Sequence, residues 1–421
     1  MPNNNHIDVS RYVAFGDSIT AGYADGALYF EGQKNSYANI LAQQFKLIGG
    51  GDFRQAPMDE HSVGVDQMGH SRLILKANHK HANDFILCYQ TSKGDTEALS
   101  HNVYTKQGPF NNLGVPGAKL ITSVIPGYGN SEHGPGNYNP FFTRLASNPT
   151  KASMLSDALQ NNPTFFSLFI GNNDCLAYAL SGGTTDAISP FDGSVGKGFE
   201  QSITYLVNAL TEKNVKGVIA NLPDINHIPY FNAIPYNGLV LDINAATLLN
   251  KKYHDLDTRF HEGSNPFLIK DPTANASGIR LLEKGELVLL DVLLEEDSAS
   301  YLQANRPIPR KYILNLADVS KIHTAINQYN QIIKSIAQEK KLAFVDIHSL
   351  IKIAKPDRFY NSTSHNLDYK KRGIFSLDGL HPNFFGQAII TNQFIKAINL
   401  TYQSNIPSVN ILRYKGIQFP E

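Results

Sequence analysis

Four short, mostly apolar runs constrain the fold more than anything else in this chain. They are Tyr12–Phe15, Thr164–Ile170, Gly217–Ala220 and Ala343–Ile347. None shows the apolar–polar alternation of a strand with one wet face. Continuous runs of this length suit strands buried on both sides, as in a parallel sheet covered by helices. Helical patterns lie between them. Tyr37, Ile40, Leu41 and Phe45 share one helical face, with Ser36 as the expected N-cap. Ile322, Ala325, Ile326, Tyr329, Ile332, Ile333 and Ile336 mark a longer amphipathic helix. Phe385, Ala388, Ile389 and Ile395 mark a last one, introduced by Pro382. Strands alternating with helices predict an α/β fold of three layers.

Two long segments break the rhythm. Residues 49–108 are rich in His, Gly and Asn, and residues 224–318 carry Pro and Tyr before the apolar run Leu287-Val288-Leu289-Leu290. No low-complexity linker separates them and no internal repeat is present. Both therefore read as insertions into a single domain over 8–403, followed by a tail over 404–421 packed on its surface. A length of 421 residues alone would allow two or three domains at roughly 150 residues each.

Composition narrows the partners. Lys plus Arg and Asp plus Glu are equal at 37 each, so nothing attracts a nucleic acid or an anionic membrane at long range. No run reaches the ~18 apolar residues of a membrane span. Two cysteines, Cys88 and Cys175, make no disulfide framework. Met1–His6 is polar and has no signal-peptide core, and export fits it only if a leader has been removed. The sequence assigns neither compartment nor oligomeric state.

The chemistry-bearing residues sit at the two ends of the chain. Ser18 lies in Phe15-Gly16-Asp17-Ser18-Ile19-Thr20, where the first apolar run stops and a turn begins. Ligands gather at the carboxyl ends of strands in such sheets. A serine hydroxyl is a weak nucleophile and needs a base within about 3 Å. His381, in Leu377-Asp378-Gly379-Leu380-His381-Pro382, is the expected base, and Asp378 is placed to fix its tautomer. Alone, Gly16-Asp17-Ser18 reads as a turn after a strand, and Asp378-Gly379 as another turn. Together, at opposite ends of one α/β pattern, they point to a nucleophilic site.

Two further blocks complete the pattern: Asn112-Leu113-Gly114-Val115-Pro116-Gly117 and Gly171-Asn172-Asn173-Asp174. The four blocks, in this order, resemble the GDSL or SGNH hydrolase family, named for Ser, Gly, Asn and His. The resemblance covers roughly residues 11–48, 109–180, 214–230 and 319–400. It implies a flavodoxin-like α/β/α sandwich with a mainly parallel sheet and a metal-independent serine esterase. It implies an oxyanion hole of the Ser18 N–H, a backbone N–H at Gly117 (Gly114 as runner-up) and the Asn173 amide. Asn111, Asn112, Asn172, Asp174 and Asp17 are expected to brace these loops. Family members act on carboxylic esters, including lipids and acetylated glycans, without a cofactor. The long insertions lie outside the blocks and leave the substrate open. The segment with Tyr178 and Gly182–Phe191 is expected to wall the site, and the insertions to form a lid or rim.

Other chemistries lack support. There is no Gly-x-Ser-x-Gly elbow, no Gly-x4-Gly-Lys phosphate loop and no complete Gly-x-Gly-x-x-Gly fingerprint. His61, His70, His79, His81 and His101 crowd the first insertion. No His-Glu-x-x-His or other ligand pattern accompanies them, so they read as solvated histidines. The alternative of a different class is a non-catalytic carbohydrate-binding or surface protein on the same fold. Acyl transfer to an alcohol in place of water is also open, because the same acyl-enzyme serves both.

Overall fold

The computed structural model of the chain describes residues 7–77, 85–185, 187–256, 259–274, 277–353 and 373–419. At its centre is a five-stranded sheet, all of it parallel. The strands are β1 (Tyr12–Gly16), β2 (Asn112–Gly114), β3 (Phe165–Phe169), β4 (Lys216–Ala220) and β5 (Ala343–Val345). Their spatial order is β2-β1-β3-β4-β5, the flavodoxin-like order, in which the chain reverses direction across the sheet between β1 and β3.

The apolar runs become β1, β3, β4 and β5. Both faces of β1 and β3 are buried throughout. Phe15, Phe165, Phe166 and Phe169 are fully enclosed, each contributing on the order of 2–3 kcal/mol by burial. The fifth strand, β2, escapes the apolar pattern. It is three residues long and begins with Asn112, and it is strand because it pairs with β1, Ala14 opposite Asn112 and Gly16 opposite Gly114.

Helices cover both faces. On one, α2 (Tyr37–Lys46) packs on α7 (Phe384–Tyr402). On the other, α5 (Phe199–Leu210) packs on α6 (Leu316–Glu339). The fold is thus an α/β/α sandwich. Ser36 caps α2, its hydroxyl accepting from the Asn39 N–H at 3.2 Å. In α7 the cap is Asn383, accepting from the Gly386 N–H at 2.9 Å, and not Pro382, which precedes it. The buried face of α7 keeps Ala388 and Ile395 of the expected one but not the rest. It runs through Gln387, Ile390, Phe394 and Ile398, leaving Phe385 and Ile389 half-buried.

The first insertion carries an antiparallel hairpin, Leu73–Ala77 with Phe85–Tyr89. The second holds a hydrophobic cluster of its own, with Ile234, Leu239, Phe267, Ile269 and Ile308 at its centre. Within it Arg280 bonds Asp271 at 2.7 Å and grips the buried Glu286 with both terminal nitrogens. The 404–419 segment is tied to α7, as Asn399 and Asn392 accept from the Ile406 and Val409 N–H groups at 2.9 and 2.8 Å. Among the described residues both cysteines are free, and no helix is long and apolar enough to cross a membrane.

Candidate active site

The site forms where β1 ends. The chain must turn sharply after Gly16, and any side chain there would collide with Thr20 and the Phe169 carbonyl, so glycine is required. Asp17 then caps the short helix α1 (Ser18–Ala21) by accepting from the Ile19 N–H at 3.1 Å. Its other oxygen accepts from Asn172 Nδ2 at 2.8 Å. Burial pushes the Asp17 carboxyl up to about 6 even against these two hydrogen bonds. Ser18 is thereby held at the end of the strand, 9% exposed.

His381 reaches this position from the other end of the chain. Its Nε2 lies 2.8 Å from Ser18 Oγ, and its Nδ1 lies 2.8 Å from Asp378 Oδ2. Both side chains of the Asp378–His381 pair are 12% exposed, so the pair is largely shielded from water but open at one edge. Asp378 Oδ1 accepts from the N–H groups of Leu380 and His381 at 2.8 and 2.9 Å. Burial acts to raise the Asp378 carboxyl, but the His381 charge and these hydrogen bonds outweigh it and hold it below the usual carboxylate range. Asp378 is therefore an anion at neutral pH, aimed at the imidazole.

The other sequence-singled residues fall around Ser18. Gly117 has φ +76, a left-handed backbone that favours glycine, and its N–H makes no hydrogen bond among the described residues. The Gly114 N–H is already used, donating to Asn112 Oδ1 at 2.9 Å, and the chain of α1 fills the space beside its Cα. Of the two glycines, Gly117 is the one with a donor to spare. The Ser18 N–H is likewise without a protein acceptor among the described residues. Asn173 starts α4 (Asn173–Leu180), and one hydrogen of its amide goes to the Ala118 carbonyl at 3.1 Å, fixing the side chain over the Gly117 loop.

The bracing residues act as expected of short polar side chains. Asn111 spans Arg54 and Tyr12, Asn112 reaches the Thr20 carbonyl, and Asp174 accepts from the Leu120 N–H. The 178–191 segment contributes less than expected. Leu180 lines the cavity beside His381, whereas Tyr178 bonds Asp318 and Gly182 packs on Lys311.

Several contributors carry no signal in the sequence. Asp25, with φ +52, accepts from the Leu377 N–H at 2.9 Å and from the Tyr29 hydroxyl at 2.7 Å. Its N–H donates to Ser376 Oγ, which in turn donates to Asp378 Oδ1 at 3.0 Å. The Gly26 N–H donates to Asp378 Oδ2 at 2.8 Å. The Tyr23 ring leans on His381, centroids 4.7 Å apart. Both insertions reach the site: Asp66 and Tyr89 from the first, Tyr230 and Asp291 from the second. Among the described residues no cluster of His, Cys, Asp and Glu has the arrangement of a metal site. His79 and His81 lie outside the described residues.

No curated protein matches the chain. Among solved structures, an α/β hydrolase enzyme, LAE5, from the metagenome of Lake Arreo, Spain, aligns over 94% of this chain and 97% of its own, at 11% identity and a TM-score of 0.38. A protein assigned as a GDSL-like lipase from Parabacteroides merdae ATCC 43184 aligns over 94% and 98%, at 14% identity and a TM-score of 0.35. An acetyl xylan esterase, AlAXEase, aligns over 92% and 98%, at 15% identity and a TM-score of 0.32. The model of the GDSL-like lipase/acylhydrolase family matches residues 12–394, nearly the whole chain from β1 into α7. The chain belongs to the GDSL-like lipase/acylhydrolase family.

Proposed function

We propose that this member of an ester-hydrolase family is a metal-independent serine esterase working through an acyl-enzyme, with residues 8–403 as one hydrolase domain bearing two insertions. The single observation that carries this reading is the hydrogen-bonded chain from Ser18 Oγ through His381 to Asp378, with both links at 2.8 Å. Ser18 Oγ attacks the ester carbonyl carbon while His381 Nε2 takes its proton. Asp378 keeps the imidazole in the tautomer with its proton on Nδ1 and stabilises the imidazolium that forms. The carbonyl oxygen, now an oxyanion, is held by the Ser18 N–H, the Gly117 N–H and the Asn173 amide. The C–O bond to the alcohol breaks, and His381 returns the proton to the departing oxygen. Water, deprotonated by His381, then attacks the acyl-enzyme and releases the acid and free Ser18.

Hydrolysis of p-nitrophenyl esters from acetate to palmitate, with Ser18→Ala alongside, tests the reading. Turnover in the wild type that vanishes in Ser18→Ala supports it, and the chain-length profile separates short acyl groups from lipid-like ones. Equal turnover in the two proteins would sink it. An inert wild type would return the reading of a non-catalytic protein on this fold.

A further inference from the structure

Resting on that reading of the site, we propose that the cavity beside His381 receives the alcohol portion of the ester and that this alcohol carries a quaternary ammonium or similar cationic group. The cavity holds about 250 Å³ and is lined by Tyr23, Asp66, Tyr89, Tyr230, Asp291 and His381, among others. None of Ser18, Gly117 and Asn173 lines it; of the Ser18–His381–Asp378 chain, His381 and Asp378 do. It therefore lies on the side of the imidazole, away from the oxyanion donors. The departing alcohol is the group to which His381 returns a proton, so the alcohol belongs on this side.

The chemistry of the wall selects the charge. Three carboxylates, those of Asp66, Asp291 and Asp378, line the space, and no Lys, Arg, Asn or Gln does. Asp66 is held by the His70 ring at 2.9 Å and by the N–H groups of Met68 and His70. Asp291 keeps an edge in solvent; burial, and then the negative charges of Asp378, Asp66 and Glu295, push its carboxyl above the ordinary value, and a cation seated beside it would favour its charged form. Asp378 is answered by His381, but the field in the cavity remains negative. A sugar or other polyol brings as many acceptors as donors, and this wall offers its acceptors almost nothing but phenols. A quaternary ammonium has no hydrogen to donate and asks only for negative potential and ring faces.

Three tyrosine rings supply the rest. Tyr23, Tyr89 and Tyr230 present ring surface around the space, and the face of an aromatic ring attracts a cation. Tyr89 is fixed by stacking on His70, centroids 4.6 Å apart, so Asp66, His70 and Tyr89 form one rigid panel. Tyr230 is buried, and its hydroxyl has no hydrogen-bond partner among the described residues. It lies near the Asp291 carboxylate. A weakly hydrated quaternary ammonium loses little on leaving water for such a pocket, and the volume fits a group of that size.

The test compares acetylthiocholine with its neutral carbon isostere, 3,3-dimethylbutyl thioacetate, both followed by thiol release. The wild type is expected to favour the cationic thioester by about tenfold or more in kcat/KM, and Asp291→Asn to cut that ratio to about threefold or less. Choline and 3,3-dimethylbutanol, compared as inhibitors of the wild type, give the same answer without a variant: choline should inhibit at about one-tenth the concentration or less. Equal kcat/KM for the two thioesters, or equal inhibition by the two alcohols, overturns the proposal. Ser18-dependent hydrolysis of p-nitrophenyl acetate in that case leaves the esterase reading standing. Hydrolysis of no ester at all overturns both.

Discussion

The carboxylate of Asp378 accepts a hydrogen bond from the backbone N–H of Gly26 at 2.8 Å, across 352 residues of chain. The loop that follows α1 therefore holds the carboxylate that is hydrogen-bonded to His381. Asp25 and Ser376 tighten the same junction, so the first and last blocks of the site are built as one unit.

Ser376→Ala removes one donor to Asp378 and the acceptor of the Asp25 N–H. Hydrogen bonds to a charged group are worth about 1.5–3 kcal/mol, so kcat is expected to fall roughly tenfold or more with KM little changed. A fall in Tm with kcat intact would make Ser376 a structural residue and nothing more.

Division of labour between Asp378 and His381 is open to direct measurement. His381→Ala removes the base, and a loss in kcat of roughly 10⁶ is expected; Asp378→Asn leaves a base in a poorer tautomer, with a loss of roughly 10⁴. An equal or larger loss in Asp378→Asn would contradict the orienting role.

Asn173→Ala should lower kcat by roughly 10²–10³ while KM moves little, because the amide acts on charge that develops in the transition state. The variant also frees the Ala118 carbonyl, so Tm is measured alongside and is expected to fall by no more than a few degrees. A rise in KM with unchanged kcat would assign Asn173 to ground-state binding instead.

Asp224 and His323, 3.0 Å apart at the edge of the second insertion, predict a pH window for stability. Burial acts to raise the Asp224 carboxyl, but hydrogen bonds from His323 and the Asn226 N–H outweigh it and hold it at about 2, against an ordinary 3.8. Its contribution is thus present above pH ~4 and lost as pH falls through about 2. The hydrogen bond to Asp224 raises His323 above its ordinary 6.5 despite burial, so its contribution is full below that value and lost as pH rises through the raised one. The Tm difference between wild type and Asp224→Asn should be largest between pH ~4 and ~6.5 and shrink on both sides. A difference independent of pH would rule out the ion pair as its source.

How far the sequence carries can be read from particular residues. Runs such as Thr164–Ile170 mark buried strands because the side chains from Phe165 to Ile170 are all enclosed. Asn112–Gly114 is too short and too polar to announce itself, and its strand character comes from pairing with β1. Pro382 draws the eye as the start of the last helix, yet the stronger cap, Asn383, is the next residue. Ser18, Asp378 and His381 stand out by motif, and the fold brings both Ser18 and Asp378 within hydrogen-bond distance of His381. Asp25, Gly26 and Ser376 do not stand out, because each is an ordinary loop residue until folding joins the chain ends. The cavity is silent for the same reason. Its tyrosines and aspartates come from the loop after α1, from both long segments and, for Asp378, from the last block, and no local pattern links Asp66 to Asp291.

The central claim is that Ser18 is a nucleophile activated by His381. Labelling with a fluorophosphonate, followed by peptide mass spectrometry, tests it most directly. One phosphonyl group is expected on the peptide containing Ser18 in the wild type, lost in Ser18→Ala and slowed by several orders of magnitude in His381→Ala. Ester hydrolysis that persists while Ser18 stays unlabelled, or labelling equally fast without His381, would contradict the account.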